Sequence, residues 1–213
     1  MQIINFVKKH ISIFIILIFH IVGFVGFLIN PSYFKSLSPL NLLLSTGLVL
    51  LMSQQTNWKF YGSLLLIAFI GFFLEVIGVK TELIFGSYNY GHALGLKALS
   101  VPLLIGVNWA ILLYCTTQFS RIKHQILNAL FGAFLMVFLD FFIEQNAARF
   151  DFWYWKNDVI PLQNYVAWFI ISFVLNLAFQ KRLSQKSNLT ARAFYVIEII
   201  FFAALFFKKL NNL

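Results

Sequence analysis

Seven apolar runs separated by polar segments take up most of this chain and decide the solvent it folds in. They cover residues 11–29, 37–53, 60–79, 101–119, 126–143, 162–179 and 193–207, the second and seventh being the shortest. A helix needs about 20 apolar residues to cross the hydrocarbon layer, so seven crossings take about 140 residues, and the chain has 213. In lipid a segment must satisfy its own backbone hydrogen bonds, so each run has to be helical. Composition agrees: 61% of the residues are hydrophobic and 11% charged, against roughly 45–50% and about 25% in soluble domains. The expected fold is all-α, a polytopic membrane helix bundle of about seven transmembrane helices in one integral-membrane domain, residues 1–213. A water-soluble enzyme is excluded.

The first run follows Lys8-Lys9-His10. It is too long for a secretory signal and has no small-residue cleavage site, so it reads as a retained signal-anchor. Basic residues sit between the runs, where they meet lipid headgroups. No single basic face exists, which argues against nucleic acid. One side carries Lys8, Lys9, Lys59, Arg121, Lys123, Lys181, Arg182, Lys186 and Arg192. The other carries Lys35, Lys80, Lys97, Arg149, Lys156, Lys208 and Lys209. Nine against seven favours a cytoplasmic N-terminus, in a bacterial inner membrane. Asn188-Leu189-Thr190 would lie on the cytoplasmic side and reads as a chance glycosylation triplet. The lone Cys115, inside an apolar run, excludes an intramolecular disulfide.

Two loops, 80–100 and 145–161, are long, rich in aromatic residues and Gly, and fall on the same outer side. Long loops sharing one end of a bundle commonly shape a site. Four acids lie within apolar runs, Glu75, Asp140, Glu144 and Glu198, where each charge costs at least about 2.5–3.5 kcal/mol on insertion scales. Glu75 is about 6 Å below the outer end of its run, and Asp140 and Glu144 share one helix face one turn apart. Asn108-Trp109 and Trp168 fall about 10 Å inside Pro102 and Pro161, from the same side. Polar and aromatic groups from four spans thus converge at one depth. Simpler readings compete: Glu75 paired with Lys80, Glu144 with Arg149, Glu198 with Arg192, and Trp153, Tyr154 and Trp155 as an interfacial belt. His20 and His92 lack a second ligand at metal spacing and read as packing or loop residues.

A carboxyl in an apolar pocket favours its protonated form. Beside aromatic faces, such an acid is suited to protonate an alkene and hold the resulting cation, for which Trp is the best neutral partner. A second carboxylate then takes a proton from water or from the neighbouring carbon. An isoprenoid dissolved in the bilayer fits this chemistry.

The segment Glu75-Val-Ile-Gly78-Val-Lys-Thr81-Glu-Leu-Ile-Phe85-Gly86-Ser-Tyr88-Asn-Tyr90 resembles the signature of the CruF-type carotenoid hydratases. So do Leu94-Gly95, Pro102, Asn108-Trp109, Asp140-Phe-Phe-Ile-Glu144, Trp153-Tyr-Trp155 and Pro161-Leu-Gln-Asn164-Tyr-Val-Ala-Trp168, a match over about 70–170. The resemblance implies water addition across the terminal C1'=C2' bond of an acyclic carotenoid end group, as in γ-carotene or lycopene. The product is a tertiary alcohol. It implies no cofactor and no metal, with membrane lipid and other carotenoid-pathway enzymes as surroundings. Glu82 stands where a Gly commonly follows the Thr, Gln145 where a Pro commonly follows the acid, and Val159-Ile160 where Gly-Val is common. From the residues, Asp140 is the expected general acid, with Glu144 or Glu75 steering water as base. Trp109 and Trp168 would flank the cation, and Tyr88, Tyr90, Trp153 and Trp155 would roof the pocket, with Asn108 and Asn164 binding substrate. A carotenoid cyclase shares the protonation step, and a non-catalytic carotenoid carrier would bind the same polyene unchanged.

Overall fold

A computed structural model describes residues 2–55, 57–119 and 122–210; Arg121, counted above among the basic residues, lies outside them. The chain runs through α1 (Gln2–Ile29), α2 (Pro31–Lys35), α3 (Ser38–Leu51), α4 (Trp58–Thr81), α5 (Leu103–Thr117), α6 (Gln125–Ala147), α7 (Leu162–Leu183) and α8 (Leu189–Leu210). Between α4 and α5 lie β1 (Tyr88–Tyr90), β2 (Lys97–Ala98) and β3 (Val101–Pro102), and between α6 and α7 lies β4 (Trp153–Trp155). All seven apolar runs are helical, and the bundle is all-α apart from these short strands. Five helices, α1, α4, α6, α7 and α8, are long and apolar enough to cross a membrane.

Two runs give shorter helices than their apolar extent. The 14 residues of α3 and 15 of α5 rise about 21–23 Å at 1.5 Å each, short of a bilayer core of about 30 Å. For α5 the reason is local: Val101 and Pro102 pair with Ala98 and Lys97 in a hairpin, which takes the first residues of the run. Its residues from Trp109 to Thr117 are all buried, so protein rather than lipid surrounds it. The seventh run, expected among the shortest, instead forms the 22-residue α8. Asn188 accepts a hydrogen bond from the Ala191 N–H and starts the helix before the apolar stretch begins. Asn188 is fully buried, its amide donating to Val49 O and Tyr114 Oη, which agrees with reading its triplet as chance.

The longest shared faces join α6 to α7, α4 to α5 and α1 to α8. The ends of α4 and α6 and the starts of α5 and α7 meet at one end of the bundle, beneath the two long loops. Those loops pair with each other: Tyr88, Asn89 and Tyr90 of β1 stand opposite Trp155, Tyr154 and Trp153 of antiparallel β4. Side chains alternate across a strand, so Tyr88, Tyr90, Trp153 and Trp155 turn toward the bundle while Asn89 and Tyr154 stay exposed. The belt reading therefore fails for Trp153 and Trp155.

Glu82, at the Gly-favoring position, closes α4 with φ of 57°, in the left-handed region. That conformation costs a side chain about 1–2 kcal/mol, and Gly is the usual residue there. Glu82→Gly should raise the melting midpoint in detergent by about 2 °C; a lower midpoint would mean that the Ser87 hydroxyl bond to Glu82 (2.8 Å) matters more.

Candidate active site

Each inward strand residue brings a donor to a carboxylate. Tyr88 and Tyr90 donate their hydroxyls to Glu75 Oε2 at 2.5 and 2.9 Å, and the Trp109 indole N–H reaches Glu75 Oε1 at 3.0 Å. Trp153 and Trp155 donate indole N–H groups to Glu144 Oε2 at 2.8 and 2.7 Å. Asn164, from the first turn of α7, donates to Glu144 Oε1 at 2.9 Å and, at 3.4 Å, to Asp140 Oδ2. Burial, and next to it the Glu75 charge, pushes both phenols of Tyr88 and Tyr90 above their ordinary value, so each remains a fixed O–H donor.

The three acids are therefore not equivalent. Glu75 and Glu144 each accept three bonds from N–H or O–H donors, the arrangement a carboxylate takes when it acts only as an acceptor. Asp140 has one long bond, and its Oδ1 has no partner among the described residues. It is also the most buried of the three, at 2% exposure against 4% for Glu75 and 6% for Glu144.

All three acids line one small cavity together with Asn108, Asn164, Tyr88, Tyr90, Trp153, Trp155 and Trp168. Its volume is about 20 Å³, room for about one water. Trp109 stands one layer back. It is fully buried, stacks on Trp168 with ring centroids 3.9 Å apart and planes at 15°, and orients Glu75 from behind. Gly71 makes room for it: a Cβ there would fall 2.5 Å from Trp109 Cγ. Overpacking of this kind costs about 1–3 kcal/mol. Gly71→Ala should accordingly lower the melting midpoint by several degrees and change the indole emission; an unchanged spectrum would show that the stack tolerates the extra methyl.

None of the simpler pairings holds. Glu75 is bonded by the roof and Trp109, not Lys80. Arg149 turns away from Glu144 to donate to Leu205 O and lie over the Phe27 ring, because it is past the end of α6 and faces α8. Arg192 donates to Ser187, while Glu198 pairs with His20 across the α1–α8 interface, Nε2 to Oε1 being 3.2 Å. Six positions separate Arg192 from Glu198, which puts them on different faces of α8. His20, expected as a packing residue, is thus a polar partner; the lone acid in the last apolar run was the only sign of one. His92 is exposed in the loop between α4 and α5.

Beside the acid cavity lies a larger chamber of about 190 Å³, and Ile105, Asn108, Ile143 and Trp153 border both. The Asn108 amide has no hydrogen-bond partner among the described residues. Phe19, Val22 and Leu40 line the chamber and are exposed on the lipid-facing surface, so it opens sideways between α1 and α3.

The fold and site are those of a helical integral-membrane protein with buried carboxyls under an aromatic roof, beside a larger, mostly apolar chamber. The chain belongs to the carotenoid biosynthesis protein family, whose profile matches residues 37–212. It therefore has a role in carotenoid biosynthesis. No curated protein and no solved structure matches it.

Proposed function

We propose that the protein is a carotenoid 1',2'-hydratase acting on an acyclic end group of the γ-carotene or lycopene type, without a cofactor. The observation that carries this reading is the division of donors: Glu75 and Glu144 hold three each, and Asp140 has one long bond beside room for one water. The end group enters from lipid through the chamber and reaches the acid cavity past Asn108. Asp140 delivers its proton to C2', and the C1'=C2' pair forms the new C–H bond, leaving a tertiary cation at C1'. The Trp168 face and the Glu75 carboxylate, fixed by Trp109, Tyr88 and Tyr90, stabilise that charge. Water held by Asn108 and Glu144 adds to C1'. It gives its surplus proton to Glu144, and the proton returns to Asp140 by way of the next water, so the cycle consumes only water and alkene.

The test is isotopic. Membranes containing the protein, incubated with lycopene in ¹⁸O-water without air and with chelator, should yield a product heavier by one labelled water. A cyclised product of unchanged mass would replace the hydratase by a cyclase. Unchanged lycopene that co-purifies with the protein would make it a carrier.

We place the protein in a bacterial inner membrane with a cytoplasmic N-terminus, the roof then being periplasmic. In intact cells, Asn89→Cys and Lys156→Cys should both label with an impermeant maleimide. Labelling of both only after lysis would invert the orientation.

A further inference from the structure

The chamber holds a second polar cluster that the hydration chemistry does not use. His20 Nδ1 lies 2.8 Å from Ile16 O; a carbonyl only accepts, so this nitrogen carries a proton. Nε2 faces Glu198 Oε1 at 3.2 Å and the Asn41 amide nitrogen at 3.5 Å. A short contact between a ring nitrogen and a carboxylate oxygen requires a proton between them, so the pair holds one more. Glu198 Oε1 is thereby satisfied. Glu198 Oε2 has no donor among the described residues, although Glu198 lies near the middle of α8 and lines the chamber. Glu198 is half-buried, so this oxygen is an acceptor left open to the chamber. The chamber around it is mostly apolar, with Phe27, Leu112, Phe201 and Phe202 in its wall.

We propose that Glu198, held by His20, binds the hydroxyl of an isoprenoid alcohol lying in this chamber. The proposal rests on the hydratase reading, whose product is such an alcohol. An isoprenoid alcohol matches both features, donating its single O–H to Oε2 and laying its hydrocarbon along the aromatic wall. Position along the helices gives the site a purpose. The two helices run in the same direction, and Asn146 of α6 donates to Phe202 O while Tyr195 of α8 donates to Leu135 O, so Glu198 lies at about the depth of Asp140. A hydroxyl formed at Asp140 meets Glu198 on its way through the chamber to the opening between α1 and α3.

The experiment reads binding without turnover. Full-length protein carrying Asp140→Asn, in detergent, is titrated by calorimetry with linalool, a tertiary acyclic C10 alcohol, and with myrcene, an acyclic C10 hydrocarbon. Linalool should bind about tenfold tighter, the scale of one hydrogen bond to a charged group. Glu198→Gln should remove most of that preference and leave myrcene binding unchanged. Gly23→Phe, at a chamber wall position where a Cβ would meet only Phe201 at 3.8 Å, should weaken both ligands. Gly47→Phe, where a Cβ has nothing within 4 Å, should affect neither. Equal affinities for the two ligands would overturn the proposal and assign the O–H on Glu198 to water. A linalool preference that survives Glu198→Gln would overturn it as well. Failure of the hydratase reading would appear instead in the labelled-water assay, with the linalool preference intact.

Discussion

Asp140→Asn should leave a folded protein that makes no hydroxylated carotenoid. The amide matches the carboxyl in shape, so the cavity keeps its volume, but it has no acidic proton to give to an alkene. Positioned acids contribute about 10²–10⁴-fold, and no other acid beside the cavity has an oxygen without a donor, so turnover should fall by about 10²–10⁴-fold. Stability should change little. Asp140 has a single 3.4 Å bond to lose, and of the six donor contacts on Glu75 and Glu144 five come from residues that do not bond to Asp140, Asn164 being the sixth. Pigment chromatography and a detergent melting curve read the two sides of this expectation. Hydroxylated product at a wild-type rate would move the acid to Glu144 or Glu75. Loss of the fold would instead assign Asp140 a structural role.

The charges were legible because charge in an apolar run is conspicuous. Glu75, Asp140 and Glu144 announced themselves, and helix direction placed them at one depth. Their partners were less legible. Tyr88, Tyr90, Trp153 and Trp155 showed the right alternation for an inward face, yet three residues of strand carry too little pattern to reveal that β1 pairs with β4 across more than 60 positions. The wrong ion pairs came from choosing neighbours in sequence: Lys80, Arg149 and Arg192 are near in the chain but turned elsewhere. His20 and Glu198, 178 positions apart, meet only because α1 packs along α8. Helix length also escaped composition, since Val101 and Pro102, the hairpin strand that shortens α5, are as apolar as the helix they precede. The position of Glu82 was the reverse case, its departure from Gly marking a left-handed residue that the backbone confirms.

The roof makes the second large prediction. Replacing both Tyr88 and Tyr90 by Phe keeps the rings that pack against Trp155 and Trp153 but leaves Glu75 with the Trp109 N–H alone. Stripping partners from a buried charge costs about 3–5 kcal/mol, which for a chain of this size is a fall of roughly 10 °C or more in the melting midpoint. The decisive comparison adds Glu75→Gln to that background. A neutral amide needs no stabilising donors for a charge, so the triple variant should be more stable than the sum of the separate losses allows, by at least about 1 kcal/mol, within the range seen for residues in one hydrogen-bonded network. The same design at the other acid, Trp155→Phe with and without Glu144→Gln, should show the same sign and a smaller size, because Trp153 and Asn164 still hold Glu144. Strictly additive losses at Glu75 would reduce the two hydroxyls to passengers on packed rings. The roof would then close the cavity by shape alone, and Asp140 would no longer be set apart by the donors its neighbours hold.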